Sequence, residues 1–397
     1  MLLLFSGFVF YYNFDVKDSS QCDRNVYVKQ HKEIRKYTIN NYKDFSIIPN
    51  IIKGLNYSYE NNIVLILHIS SDQPLQKIKN HLYNWEGFIS LSVYITTNTI
   101  FSYEFICTFC KLKAINENYD KLSVHFVFNK MDNENFINDV ISRLLNNICN
   151  DKNKIFYLSQ SCIKEESNKK NISYTMSKYP ANVLRNVARN YSYSKYILLG
   201  DVDHMFSKHF HKKMLKIAKD ELNEKNKKAL VYRIFEIDTI NLTTAPMTKV
   251  ELKKQIKEKK AFVFHHYYKG AHSIPRLEEW LDVDDSDCPK IQFEAEYDRS
   301  HWEPQFVSLN TIPYHDEHFP YPNRDNTVLR WEMCRAGYKF LIVNDVFMFH
   351  LGLKNNKESK AVSVAKEMSR KEYDHSLINF RKSMDIKYPL TIKNCPF

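Results

Sequence analysis

Residues 196–206 are "YILLGDVDHMF". An apolar run ends abruptly in two acids one residue apart, Asp201 and Asp203. The run predicts a buried β-strand that delivers both carboxylates to its carboxyl end. Positions i and i+2 of a strand point the same way. Two like charges at one point raise each other's cost of ionisation, and a divalent cation bound by hard oxygen donors removes the conflict. Ligands of open α/β sheets bind beyond the carboxyl ends of the strands. The bland alternative is an acidic strand-end loop that holds no metal.

Working outward, the pattern alternates strand and helix. "YPANVLRNVARN" (179–190) predicts a helix with Pro180 in its first turn, where proline is tolerated. Val183, Leu184, Val187 and Ala188 form one face, and Asn182, Arg185, Asn186 and Arg189 form the other. Before it come the strands "NIVLILHIS" (62–70), "ISLSVYITT" (89–97) and "KLSVHFVFN" (121–129), with a helix over "DQPLQKIKNHLYNW" (72–85). After it come helices over 208–222 and 247–260, the latter with Thr248 and Glu251 spaced as a capping box. A strand at 229–238, a helix over 324–337 and a strand pair or bent strand at "KFLIVNDVFMFH" (339–350) follow. This alternation predicts an α/β fold with a largely parallel sheet. There is no internal repeat and no linker between domains.

Composition narrows the class. The chain has 397 residues, 44% of them apolar, which suits one large domain or two ordinary ones. The net charge of +11 is spread among mixed acids and bases, as in "KDELNEKNKK", and reads as a solvated surface; no nucleic-acid motif is present. Residues 1–14, "MLLLFSGFVFYYNF", are uncharged but for Asp15 beyond them, and mostly apolar. They are short for a span and lack the basic flank of a signal peptide, so they read as a signal-anchor or a signal-peptide remnant, against a plain buried strand. Residues 15–58 read as a polar stem, and 59–397 as the globular domain. Eight cysteines and sequons at Asn56, Asn171, Asn190 and Asn241 lean toward the secretory pathway. Cys107 and Cys110 have zinc-ligand spacing, but no second pair completes a site.

The blocks resemble a known family. "YPANVLRNVARNYSYSKYILLGDVDHMFS" is similar to the signature of glycosyltransferase family 49, which holds the LARGE-type xylosyl/glucuronyltransferases' second catalytic domain and the β-1,4-glucuronyltransferases. "NIVLILHISSDQPLQKIKNHLYNWEGFISLSVYI", "VYRIFEI", "FVFHHYYKGAHSIPRLEEWL", "HWEPQFVS" and "YHDEHFPYPNRDNTVLRWEMCRAGYKFLIVNDVFMFHLGL" resemble further blocks in the family's order, over about 60–355. The resemblance implies a GT-A fold, with a Rossmann-like sheet flanked by helices. It implies a metal-dependent, inverting transfer from a UDP-sugar, glucuronate by family default, to a glycan acceptor. Phosphatases of the haloacid-dehalogenase type also open on Asp-x-Asp, but Met205 and the late position of the pair disfavour them.

Carried over residue by residue, Asp201, Asp203 and His350 would hold Mn2+, or Mg2+. Asp316 or Glu317 would be the general base, with Asp316 preferred. Asp72 would edge the nucleotide site, and Arg185 and Asn186 would order the nucleotide or brace Asp201. Trp302 would offer a face to a sugar ring, with ordinary core the equal alternative, and Glu303 would bind a sugar hydroxyl. His265, His266 and His272 stay open, with one of them a candidate to line the sugar pocket. The chain departs from the family at Asp72-Gln73, at the glycine-free "PYPNRDN" (320–326) and at "YYKGAH" (267–272). These changes touch donor and acceptor recognition, not the metal site. The expectation is a Golgi enzyme anchored by its N-terminus, the alternative a glycan- or protein-binding pseudoenzyme of the same fold.

Overall fold

The computed structural model describes residues 37–55, 58–97, 102–130, 141–147, 172–265, 270–353 and 356–397. Segment 1–14, residues 15–36 of the stem, Asn56, Asn171 and His266 lie outside the described residues. In chain order the strands are β1 (Asn40–Tyr42), β2 (Phe45–Ile52), β3 (Ile63–Ser70), β4 (Ile89–Tyr94), β5 (Leu122–Asn129), β6 (Tyr196–Leu199), β7 (His204–Phe206), β8 (Lys228–Ile237), β9 (Ala261–Val263), β10 (Ile291–Ala295), β11 (Gln305–Leu309) and β12 (Lys339–Leu351). The helices are α1 (Gln76–Asn84), α2 (Tyr103–Asn116), α3 (Ile172–Ser177), α4 (Ala181–Asn190), α5 (Phe210–Glu221), α6 (Lys249–Lys257), α7 (Leu277–Asp282), α8 (Thr327–Arg335), α9 (Asn356–Met368) and α10 (Arg370–Lys387).

The strands form one sheet in the order β1-β2-β5-β4-β3-β6-β11-β8-β12-β10, with β7 on β12 and β9 on β8. Its nucleus is the parallel run β5-β4-β3-β6. Strand β11 enters antiparallel between β6 and β8, and β8 pairs in parallel with β12. The continuous apolar run of β3 is explained by its position, since both faces are covered. Ile63, Leu65, Leu67 and Ile69 join a core with residues of α1, α2 and α5. Val64 and Ile66 face the other way, into a core with Ala188 of α4, Trp331 of α8 and Phe380 of α10. Period-two alternation thus builds a helix–sheet–helix sandwich. The capping box of Thr248 and Glu251 forms at the start of α6.

Two local expectations are corrected, the stem and the bounds of α8. Residues 40–52, assigned to the stem, are strands: β2 runs antiparallel along β5, and Ile47, Ile48, Ile51 and Ile52 are buried. A register shift between Ile48 and Ile52, around Pro49 and the positive φ of Asn50, hides the strand period in the sequence. Of the two readings of 339–350, the bent strand holds: its register against β8 shifts between Ile342 and Phe347, with Asp345 at φ 70. Helix α8 is shorter than 324–337, and α9 and α10 follow β12. Helix α2, unpredicted, carries "CTFC"; Cys107 is disulfide-bonded and Cys110 is buried in the core, so neither is a zinc ligand. Among the described residues no helix is long and apolar enough to cross a membrane.

The C-terminus is pinned twice. Cys334 in α8 is bonded to Cys395, 61 positions away. Phe397 stacks on Trp331, and Arg335 donates to the carbonyls of Met384 and Tyr388. Closing a loop of that size removes about 4 kcal/mol of unfolded-state entropy. Cys395→Ser should therefore lower the melting temperature by several degrees, read by calorimetry under non-reducing conditions; an unchanged transition would show that the aromatic contacts alone hold the tail.

A second expectation concerns pH. His125, on β5 between β2 and β4, is fully buried, and burial pushes its pKa down to about 3. Its Nδ1 accepts from the Asn50 N–H at 3.0 Å, and its Nε2–H faces Ser90 Oγ at 2.9 Å, whose hydroxyl donates to Ala188 O. A second proton on Nδ1 would confront another donor. Between about pH 6.5 and 3 the unfolded chain holds a proton there that the folded one refuses, so stability rises with pH in this window, by up to ~1.4 kcal/mol per unit. Chemical denaturation at pH 4.5, 5.5 and 6.5 should show His125→Asn with a slope shallower than wild type by up to one proton; an identical slope would refute this.

Candidate functional site at the Asp201 turn

Strand β6 is buried along its whole length between β3 and β11. After Gly200 the chain does not continue as a strand. Asp201, Val202 and Asp203 form a turn closed by the His204 N–H on Asp201 O at 3.1 Å, and β7 then leaves to pair with the end of β12. The two carboxylates are therefore not brought together by strand alternation, as the sequence suggested. Helix α1 braces the turn. His81 Nε2 donates to Val202 O at 3.1 Å, and Asn84 exchanges hydrogen bonds with the backbone of Phe206. Burial lowers the His81 pKa to about 4, so it serves as a neutral donor. His81 and Asn84 were missed from sequence; the only signal was two polar residues on the inner face of "NHLYN".

Asp201 and Asp203 have different neighbours. Asp201, whose side chain is 43% exposed, has His68 Nε2 and Arg185 Nη2 each at 3.6 Å from Oδ1, and His204 Nδ1 at 4.0 Å from Oδ2. Withdrawal from water would raise its pKa; His68, His204 and Arg185 outweigh that and hold the carboxyl well below its usual range. His68 Nδ1 lies 2.8 Å from the Tyr179 hydroxyl. Burial raises Tyr179 far above its ordinary pKa, so it keeps its proton and donates it, which leaves the His68 Nε2–H turned to Asp201. Asp203 instead meets Lys77 of α1 at 2.5 Å, in a half-exposed pair. Such pairs are worth roughly 0–1 kcal/mol and are readily exchanged for another cation.

The polar face of α4, expected behind the Asp pair, is buried rather than solvated. Arg189 donates to Asn310 Oδ1 and to the carbonyls of Asn310, Ile312 and Pro313. Asn186 donates to His315 O at 2.9 Å and Glu317 Oε1 at 2.7 Å, and accepts from the His315 N–H. Asn182 donates to the carbonyls of Asp316 and Asp325, both at 2.8 Å. Arg185 pairs with Asp325 at 2.6 Å and reaches Asp201 beyond it. One helix face thus grips the irregular chain of 310–325 and ties it to the Asp201 turn. Asp325, absent from the sequence reading, is the buried counter-ion of Arg185.

This grip separates the two base candidates. Glu317 is only 6% exposed and takes donors from Lys43 at 2.5 Å, Tyr42 at 2.6 Å and Asn186 at 2.7 Å. Asp316 is 25% exposed, and its Oδ1 accepts from the His318 N–H and lies 2.8 Å from His318 Nδ1. Asp316 is the accessible carboxylate and Glu317 the anchor. They lie in an irregular segment eleven and ten positions ahead of α8, not directly at a helix start.

The remaining candidates divide. His350, at the end of β12, pairs across to His204, their ring centroids 6.0 Å apart, and its Nδ1 faces Gly352 O at 2.9 Å. It is one ring removed from Asp201. Among the described residues no three His, Cys, Asp or Glu side chains are assembled as a metal-holding group. His265 and His272 pack on Phe264 beside His350. Glu303 hydrogen-bonds the Thr327 hydroxyl and lies 3.8 Å from His272. Trp302 is corrected: its ring is buried in the core against Tyr297 and Phe340 and has no face free for a sugar. Asp72 is exposed in the turn after β3, on the Tyr179 side of the site.

Comparison with known proteins bears on this geometry. A β-1,4-glucuronyltransferase 1 of Danio rerio is 25% identical over 224 residues, 55% of this chain and 49% of the relative. That of Mus musculus is 24% identical over 347 residues, 84% of this chain and 78% of the relative. Xylosyl- and glucuronyltransferase LARGE1 of Danio rerio is 24% identical over 215 residues, 53% of this chain and 27% of the relative. The chain thus spans about half the length of the first of these and about a quarter of the last. Among solved structures, GalNAc-T7 with UDP, GalNAc and Mn2+ aligns over 85% of this chain and 59% of that one, with a TM-score of 0.40 and 9% identity. Residues 62–389 match the family model described as "Glycosyl-transferase for dystroglycan", and on that match the chain belongs to glycosyltransferase family 49.

Proposed function

We propose that the protein is a metal-dependent, inverting glycosyltransferase that moves a sugar, glucuronate as first expectation, from a UDP-sugar to a glycan acceptor. The observation that carries this is the continuous link from Asp201 through Arg185 and Asn182 to Asp316. It holds a donor-side carboxylate and an accessible base in one rigid frame. The similarity to β-1,4-glucuronyltransferases supports glucuronate as the donor sugar.

In the reaction, Asp316 takes the proton of the acceptor hydroxyl as that oxygen attacks the anomeric carbon. The new C–O bond forms while the bond to the diphosphate oxygen breaks, and the nucleoside diphosphate leaves from the opposite face. His318 orients the Asp316 carboxylate, and Glu317 fixes the backbone that carries it. Asp201, Asp203 and His350 supply the donor types that a Mn2+ or Mg2+ ion takes, and such an ion, when bound, neutralises charge on the leaving diphosphate. The donor chemistry fits: Asp201 stays ionised, and Asp203 holds a cation already, the displaceable Lys77. That same Lys77 contact favours a second reading, a glycan-binding protein without turnover.

The proposed place of action is the Golgi lumen, with residues 1–14 as membrane anchor. The Cys334–Cys395 bond and the disulfide at Cys107 support an oxidising compartment.

Two experiments test the reading. UDP release measured across a panel of UDP-sugars, with Mn2+ and with chelator, should be metal-dependent and should fall at least a hundredfold in Asp203→Asn. No release with any donor favours the non-catalytic reading, and full activity in the mutant removes the role of Asp203. In transfer assays, Asp316→Asn should lose about 10²–10⁴ in kcat with donor KM little changed. Glu317→Gln should instead lower the melting temperature, because it takes the charge from a buried carboxylate that Tyr42, Asn186 and the exposed Lys43 all serve. The reverse pattern would exchange the two roles.

A further inference from the structure

The lysine that opens α1 breaks a local rule. Lys77 stands in the first turn of the helix, at the positive end of its dipole, where acids are favoured and cations are not. That turn carries no acid, and Leu75 at the N-cap makes no side-chain cap. Nothing within α1 therefore explains a cation at this position. Its partner lies outside the helix: Lys77 Nζ reaches Asp203 Oδ1 at 2.5 Å, in a half-exposed pair. Residues that violate the preference of their own element concentrate at functional sites.

The charges around the turn are uneven. Three carboxylates, Asp201, Asp203 and Asp325, face two permanent cations, Arg185 and Lys77. Arg185 is buried and is fixed by Asp325 at 2.6 Å and by Asn182 Oδ1 at 2.8 Å, so it cannot follow a ligand. Lys77 can. Among the described residues its ammonium has this one ion pair, and it ends a flexible stem with three rotatable donors. Helix α1 also braces the turn through His81 and Asn84, so Lys77 stays within reach of the site when it lets Asp203 go.

A divalent ion shared by the Asp pair reverses the sign of this balance, and a nucleoside diphosphate reverses it again. One mobile ammonium serves both conditions, on Asp203 first and on the diphosphate afterwards. We propose that Lys77 is the competitor that a divalent cation displaces from Asp203 and, once displaced, a ligand of the donor's diphosphate. This rests on the reading of Asp201 and Asp203 as the cation site. The two roles have opposite signs. Lys77 weakens cation binding in the absence of nucleotide, and it tightens nucleotide binding once the cation is in place.

The test reads binding rather than turnover. Mn2+ alone is titrated into the full chain, with the free ion followed by electron paramagnetic resonance. UDP is then titrated calorimetrically at saturating Mn2+. Lys77→Met should bind Mn2+ about two- to fivefold more tightly than wild type, the scale of one half-exposed ion pair. It should bind UDP roughly tenfold more weakly, the scale of one charge-assisted hydrogen bond. Lys77→Arg should return both affinities toward wild type. Lys79→Met removes the same charge from an exposed position of the same helix and should change neither. A lysine that merely supports the fold would move both affinities in one direction. Unchanged or weaker Mn2+ binding in Lys77→Met, or undiminished UDP binding, overturns the proposal and leaves the cation site standing. A wild type that binds no Mn2+ at millimolar concentration removes the cation site, and the proposal with it.

Discussion

The buried polar face of α4 is the constraint on which the site depends. Arg189, Asn186, Asn182 and Arg185 lie at successive turns of one helix, all inside the protein. A buried guanidinium needs acceptors on every side, and an irregular buried chain needs donors for its carbonyls. Residues 310–325 and α4 satisfy each other, carbonyl by carbonyl. Desolvation lowers the Arg189 pKa only to about 10, so it stays charged and its grip is electrostatic as well as geometric. The other face of the same helix packs Val183, Leu184 and Val187 against Ile47 and Val127 of the sheet. The irregular segment is thereby fixed to the rigid parallel nucleus, which is what an accessible carboxylate such as Asp316 requires to hold its place.

The Asp201 turn shows how two identical side chains two positions apart take on different work. Asp201, as exposed as Asp203, lies among His68, His204 and Arg185, which together hold it ionised. Asp203 faces the half-exposed Lys77. The first is part of a fixed network and the second can exchange its partner. A turn rather than a strand makes this possible, since the chain reverses direction between them, and His81 of α1 sets that reversal by holding the carbonyl of Val202.

Much of this was legible in the chain. The parallel nucleus follows from four apolar runs alternating with helical periods, and the capping box of α6 from two residues at the right spacing. The polar stripe "N..RN..R" was visible as a face, but its partner was not, because 310–325 has no period of its own. Strand β2 was hidden by Pro49 and Asn50, whose bulge breaks the alternation on which a strand assignment rests. Trp302 read equally well as a sugar platform or as core, and only the neighbours Tyr297 and Phe340 decide for the core.

The sequence by itself determined the layered α/β class, the placement of Asp201 and Asp203 at the end of a buried strand, and the family resemblance. Periodicity and short motifs are local properties, and they survive without knowledge of what packs where. Tertiary structure alone decided that Glu317 is an anchor and Asp316 the exposed carboxylate. It did so because Tyr42 and Lys43, some 275 positions earlier, arrive on a hairpin to neutralise one and leave the other to solvent. The burial and partners of a charge depend on residues far away in the chain, and no local pattern encodes them.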